Sequence, residues 1–256
     1  MALLLVTNDD GIHAAGLAAL AEALAELGEV WVIAPEREQS ACGHALTLHR
    51  PLRAVPMGER RFAVNGTPSD CVNLAVLGFL PERPVVVVSG INHGGNLGDD
   101  VTYSGTVSAA MEATLLGVPA IAVSLLDGGE LADAATIART VAMRVLVDGL
   151  PRKTFVNVNV PAQAPRGLKV TRLGHRVYSD KIVEQSDPRG RTHYWIGAGA
   201  PAWEDLEGTD MGAIHDGYAS LTPLHLDLTH HAALARMSDW GSALSAHLKR
   251  DAGRRR

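Results

Sequence analysis

Cysteine, aromatic residues and basic charge are all scarce in this chain. Its two cysteines, Cys42 and Cys71, lack metal-ligand spacing and are too few for a secreted disulfide scaffold, which points to a reducing, cytoplasmic compartment. Aromatics make up only 4% of the residues. With 23 basic against 28 acidic residues and a formal charge of -5, no general basic surface offers itself to a nucleic acid duplex. The positive charge at Lys249-Arg250 and Arg254 to Arg256 reads as a solvated tail. Apolar runs of membrane-spanning length are missing too, since the longest, Leu115 to Leu126, contains Gly117, Pro119 and Ser124. The opening Met1 to Val6 lacks a basic flank and runs into Asn8-Asp9-Asp10, so it reads as a buried strand and not as a leader. No G-x-x-x-x-G-K-[ST] phosphate loop, G-x-S-x-G elbow or H-E-x-x-H helix occurs, which sets aside three common hydrolase chemistries. Gly197 to Ala202 fits a loose dinucleotide pattern, but Pro201 and the late position spoil it.

The 256 residues, 46% apolar and 20% charged, are instead those of a globular α/β domain. Through the first 160 residues, short apolar runs alternate with helical periodicities. Leu3–Val6, Val30–Ala34, Val85–Val88, Ala120–Val123 and Phe155–Val158 are near-continuous Val, Ile and Leu, the pattern of parallel strands covered on both faces. Between them Leu17, Leu20, Leu24 and Leu27 form one apolar stripe, and Leu131, Ala134, Ile137, Val141 and Val145 another. The expectation is a Rossmann-like, mostly parallel sheet sandwiched by helices. After residue 160 prolines interrupt, and Asp187-Pro-Arg-Gly190 marks a turn between strand-like stretches, hence a C-terminal β-hairpin extension. The expected organisation is a single domain over 1–256. Its core over 1–160 carries the site, 161–230 holds the hairpin, and 231–256 is a C-terminal helix with the basic tail.

In an open parallel sheet, ligands bind beyond the carboxyl ends of the strands. Three apolar runs end in polar loops there: Thr7-Asn8-Asp9-Asp10-Gly11, Pro35 to Ser40, and Ser89 to Asn96. Asn-Asp-Asp-Gly by itself is also a good Asx turn capping a helix that starts near Gly16. Adjacent carboxylates in a partly dehydrated cleft repel each other, however, and a divalent cation is the usual means of keeping both ionised. If Ser40 and Asn92 converge on Asp9 and Asp10, the all-oxygen set suits Mg²⁺ or Mn²⁺ and argues against Zn²⁺. Downstream, Tyr103-Ser104-Gly105-Thr106 opens an Ala-rich helix, either as an ordinary cap or as a phosphate cradle of backbone N–H groups and hydroxyls. Gly66 to Asp70 opens another helix, where capping is the expected role. Of the histidines, His44 and His93 lie in the cleft loops and are candidates for phosphate contact or acid catalysis.

These residues resemble the survival protein E (SurE) nucleotidases, metal-dependent phosphatases of nucleoside monophosphates. The match runs through Thr7 to Ile12, Ser40 to His44, Gly66 to Val72, Ser89 to Asp100 and Tyr103 to Val107. It continues through Asp187 to Arg191, Tyr194 to Gly197, Thr209-Asp210, Gly217-Tyr218, Thr222 to Leu224 and Asp227 to Thr229. Ser69 stands where Ala is common and Gln39 where Arg is frequent. The resemblance implies metal ligands Asp9, Asp10, Ser40 and Asn92, with Asn96, Ser104, Gly105 and Thr106 at the substrate phosphate. Asp9, Asp10 and Asn92 would carry catalysis. The implied reaction is hydrolysis of nucleoside 5′-monophosphates, and of 3′-monophosphates as a further substrate, by metal-assisted attack of water. Alternatives are polyphosphate hydrolysis at the same site and a non-catalytic nucleotide- or metal-binding module. The resemblance further implies a homodimer or homotetramer built through the C-terminal arm, where five of the eight Trp and Tyr residues gather.

Overall fold

The computed structural model describes residues 2–177, 182–195, 202–204, 206–245 and 248. Tyr178, Ile196, residues 197–201 and the basic tail lie outside the described residues. The chain opens with β1 (Leu3–Thr7), α1 (Ala15–Leu24), β2 (Glu29–Pro35), β3 (Ala54–Gly58) and β4 (Arg61–Val64). Helix α2 (Pro68–Leu74), β5 (Val86–His93), α3 (Gly105–Leu115), β6 (Ala120–Leu125), α4 (Leu131–Asp148) and β7 (Thr154–Val160) complete the βα core. Beyond it come β8 (Leu168–Val170), β9 (His175–Val177), β10 (Val183–Ser186), β11 (Thr192–Trp195), β12 (Ala202–Glu204), α5 (Asp210–His215), β13 (Ala219–His225) and α6 (His231–Arg236).

Nine strands form one sheet in the order β3-β4-β2-β1-β5-β6-β7-β13-β8. From β4 to β7 every neighbour is parallel, and β1 and β6 are buried at every position, as their unbroken apolar runs require. Leu17, Leu20 and Leu24 of α1 pack with Ala134, Val141 and Val145 of α4 over one face. On the other face lie Cys71 and Val72 of α2 and Val107, Ala110 and Ala113 of α3. Gly16 permits the close approach of α1 to β5, since a Cβ there would lie 2.1 Å from the Ile91 carbonyl oxygen.

The chain leaves β1 toward β2 on one side and leaves β5 toward β6 on the other. Between β1 and β5 the direction of winding reverses, so a crevice opens at the carboxyl ends of these two strands.

The hairpin after residue 160 is present: β10 and β11 pair antiparallel, with Asp187 Oδ1 accepting the backbone N–H groups of Arg189 and Arg191 at 2.8 and 2.9 Å. One strand escapes sequence reading. β13 lies antiparallel to β7 in the main sheet, although Pro223 stands within it. The Leu221 carbonyl faces the β8 side, where it accepts the Thr171 N–H, and Pro223 has the same parity. Leu221 is the last residue paired with β8, so the missing N–H of Pro223 falls where no strand needs it.

The described chain falls into two compact units, Met1–Leu226 and Asp227–Arg256. Within the second, His231 Nε2 meets Asp227 Oδ2 at 2.7 Å across one turn at the start of α6.

Candidate active site at the strand crossover

Asp9 and Asp10 leave the end of β1, and Asn92 sits near the end of β5, one on each side of the winding reversal. Asn8 shapes the first turn: its side chain donates to the Gly11 carbonyl at 3.1 Å and accepts the Gly11 N–H at 3.2 Å. The Asn8 turn and the carboxylate pair are both present in one loop, but the turn caps no helix, since α1 starts at Ala15 without a side-chain cap. A cavity of about 380 Å³ beyond the strand ends is lined by Asp9, Ser40, Asn92, Asn96, Tyr103 and Ser104, among others. The three loops converge as the sequence suggests.

Ser40 comes in on the long segment after β2. Gln39 N–H donates to the Asp9 carbonyl at 2.7 Å, and the Ser40 hydroxyl donates to Glu38 Oε1 at 2.6 Å. Farther along, Gly43 N–H bonds the Tyr103 carbonyl at 3.0 Å, while His44 Nε2 meets Glu112 Oε2. Glu112 is buried on α3, and its other oxygen accepts from Asn73 at 2.6 Å. His44 is thus held by a buried carboxylate of α3 that also binds Asn73 of α2. His93, by contrast, is 85% exposed and 3.7 Å from Asp127.

The segment after β5 is held by a buried polar net. Asn96 N–H donates to Asn159 Oδ1 at 2.8 Å, its carbonyl accepts from Asn157 and Asn159, and its amide nitrogen reaches Ser124 Oγ at 2.8 Å. Buried Asp210 of α5 adds Gly98 N–H and Gly174 N–H, each at 2.8 Å. Sequence reading missed these supports. The signal was in Phe155-Val-Asn-Val-Asn-Val160: amides at period two in an otherwise apolar strand put two polar side chains on one face.

At the start of α3, Ser104 caps the helix by accepting the Val107 N–H at 3.1 Å. The expected phosphate cradle is altered here. Thr106 is fully buried, and its hydroxyl donates to Asp9 Oδ1 instead of facing the cavity. Gly105 must lack a side chain because a Cβ would lie 2.8 Å from Asp9 Oδ2 and 3.1 Å from Cys42 Sγ. Gly105 and Thr106 thus seat Asp9 directly.

Burial pushes the Asp9 carboxyl above its ordinary value, against hydrogen bonds from Thr106 and Gly105 that pull it down. The Asp10 carboxyl is likewise raised, first by burial and then by the charge on Asp9. No Lys or Arg is among the leading influences on either group. Among the described residues, no three His, Cys, Asp or Glu side chains come together as metal ligands. A cation would therefore draw on hydroxyl and amide oxygens besides the two carboxylates, and the surplus negative charge fits that demand. Burial and the Asp9 charge push the Cys42 thiol up, away from the reactive thiolate.

A mostly parallel α/β sheet with paired carboxylates and oxygen donors at its winding reversal defines a class: α/β proteins with an acidic, oxygen-rich ligand site at the strand tips. The chain belongs to the SurE family. The family model described as "Survival protein SurE" matches residues 4–180. A protein named 5′-nucleotidase SurE from Syntrophotalea carbinolica is 56% identical over 95% of this chain and 99% of its own. Its namesake from Geobacter sulfurreducens is 56% identical over 93% of each. The crystal structure of the Sure protein from Aquifex aeolicus superposes with a TM-score of 0.84 at 42% identity, covering 94% of this chain and 99% of that one.

Proposed function

We propose that the chain is a 5′-nucleotidase that hydrolyses nucleoside monophosphates, with Asp9, Asp10, Ser40 and Asn92 holding Mg²⁺ or Mn²⁺. The observation that carries this reading is the convergence of Asp9, Ser40 and Asn92 around one cavity, with Asp10 next to Asp9 and repelled by its charge. Its support from outside the chain is the name 5′-nucleotidase SurE borne by relatives 51% to 56% identical. A divalent cation bound there supplies charge to polarise the phosphoryl group and to acidify an attacking water. The chain's own groups do the rest. Asn96 and Ser104 face the cavity where the phosphate would lie. Gly105 and Thr106 fix Asp9, so that its remaining oxygen is presented in one orientation. Asp9, Asp10 and Asn92 then form the reactive edge, and either carboxylate is placed to accept a proton from water.

The hairpin supports a further part of the reading. Tyr194 and Trp195 are 64% and 63% exposed on β11, so they do not cover the chain's own sheet. A two-stranded hairpin is marginal in water and gains by burying such rings on another surface. A homodimer or homotetramer formed through residues 161–230 would supply it. The unpaired Cys42 and Cys71 accord with a cytoplasmic setting, and no described helix is long and apolar enough to cross a membrane.

Phosphate release across a panel of nucleoside 5′- and 3′-monophosphates and short polyphosphates tests the proposal. Activity on the 5′-monophosphates should vanish with chelator and return with Mn²⁺ or Mg²⁺. Turnover of polyphosphate alone, or binding of nucleotides without turnover, would overturn it.

A further inference from the structure

Between β2 and β3 the chain runs through residues 36–53 without a helix or strand, and Ser40 sits in that stretch. An irregular segment of this length is held by what its individual groups bond to. Ser40 has little hold of its own: it is exposed, and its hydroxyl donates to Glu38, which is exposed too. Ala41 beside it has a φ of 55°, a left-handed conformation that a residue with a Cβ keeps only where neighbouring contacts impose it.

Those contacts lie just downstream. Gly43 N–H donates to the Tyr103 carbonyl at 3.0 Å, the Thr67 hydroxyl to the Ala45 carbonyl at 2.7 Å, and Thr47 N–H to Asp70 Oδ1 at 2.8 Å. His44 reaches deeper. Its Nε2 meets Oε2 of Glu112, whose other oxygen accepts from Asn73 at 2.6 Å. The His44 side chain is 29% exposed and that of Glu112 only 8%, so the bond forms mostly out of water, where it is stronger. If the ring let go, a buried carboxylate would lose one of its two partners, which makes release costly.

Glu112 also belongs to the helix that seats Asp9. Gly105 and Thr106 receive the Asp9 carboxylate at the start of α3, and Glu112 stands two turns later, roughly 10 Å along the same axis. One helix thus grips Asp9 near its start and the Ser40 segment farther along, and so sets the spacing between them. His44 is not among the residues that line the cavity beside Asp9 and Ser40. Its place against Glu112 favours neither phosphate contact nor acid catalysis.

We propose that His44 is a positioning residue: clamped to buried Glu112, it fixes Ser40 relative to Asp9 so that both present oxygen to one divalent cation. The proposal rests on the nucleotidase reading for the cation and for Ser40 as its ligand. It adds a residue that touches neither cation nor substrate and yet sets the affinity for metal.

Calorimetric titration with Mn²⁺ in the absence of substrate tests it. His44→Leu keeps bulk but donates nothing to Glu112, and should weaken Mn²⁺ binding by about tenfold. His44→Gln, whose amide nitrogen can take the place of Nε2, should restore the affinity and, at saturating Mn²⁺, leave kcat and KM for AMP near wild type. In a Ser40→Ala background, where the ligand is already gone, His44→Leu should cost nothing more. Glu112→Gln should also weaken Mn²⁺ binding, because an amide offers an acceptor to only one of its two partners, and it serves if His44→Leu does not fold. Wild-type Mn²⁺ affinity in whichever of these two variants folds, even with a lowered melting temperature, would overturn the proposal. A His44→Gln protein that binds Mn²⁺ normally but has lost kcat would overturn it as well, since His44 would then act in the reaction itself. If the wild-type chain binds no Mn²⁺, the metal reading falls and takes this one with it.

Discussion

Asp9 and Asp10 set the terms at the residue scale. Both carboxyls are held above the ordinary value of 3.8 by burial, so the folded chain keeps their protons to a higher pH than the unfolded chain does. In chelator, the stability these groups contribute is full below that ordinary value and is lost as pH rises through the raised ones. Asp10→Asn removes the charge that Asp9 repels. It should raise the metal-free melting temperature at neutral pH, flatten the pH dependence above the ordinary carboxylate value, and lower nucleotidase activity by about a hundredfold or more. Thermal denaturation in chelator and initial rates with Mn²⁺ check both halves; an Asp10→Asn protein that is less stable yet fully active would contradict the account. Ser69 offers a simpler case. It is fully buried, and its hydroxyl finds no hydrogen-bond partner among the described residues. Ser69→Ala should therefore stabilise the fold by about 1 kcal/mol in urea titrations and leave kcat unchanged.

Among elements, β7 and α5 matter to the site without reaching it. Asn159 in β7 bonds the Asn96 backbone through both ends of its amide, and Asp210 at the start of α5 grips Gly98 and Gly174. The segment after β5 contains little regular structure, so these side chains substitute for a ladder of backbone hydrogen bonds. Replacing Asn159 by Leu keeps the bulk but strands the buried Asn96 N–H, at a cost of about 1–3 kcal/mol. The variant should also show a raised KM for phosphate esters, because Asn96 and Ser104 lose their fixed spacing. Urea denaturation and steady-state kinetics measure the two effects, and a destabilised protein with normal KM would confine Asn159 to folding. The segment carrying Ser40 is tied in a comparable way, through Asp9, Tyr103 and Glu112.

For the whole molecule, the exposed aromatic hairpin makes assembly measurable. Light scattering should give a dimer or tetramer for the full chain, and deletion of residues 182–195 should release smaller species. A full-length monomer would end that proposal. A shortened chain of unchanged size would move the interface elsewhere. Covering Tyr194 and Trp195 should also shift tryptophan emission toward the blue at high protein concentration, which gives an independent readout.

Much of this was legible from residues alone. Doubly covered parallel strands must be apolar on both faces, so β1, β2, β5 and β6 show as apolar runs, and β7 as one interrupted by Asn157 and Asn159. Helices against a sheet must be apolar on one, so α1 and α4 show as stripes. The loops that follow strands β1, β2 and β5 identified the site because ligands gather where such strands end. Sequence could not reveal β13, whose proline is harmless only because β8 stops short of it. Nor could it show that the Thr106 hydroxyl is spent on Asp9, or that Asn157 and Asn159 hold a loop some sixty positions away. Periodicity records which face of an element is buried. Which polar groups meet across elements depends on strand order and on the point where winding reverses, and those are properties of the assembled sheet.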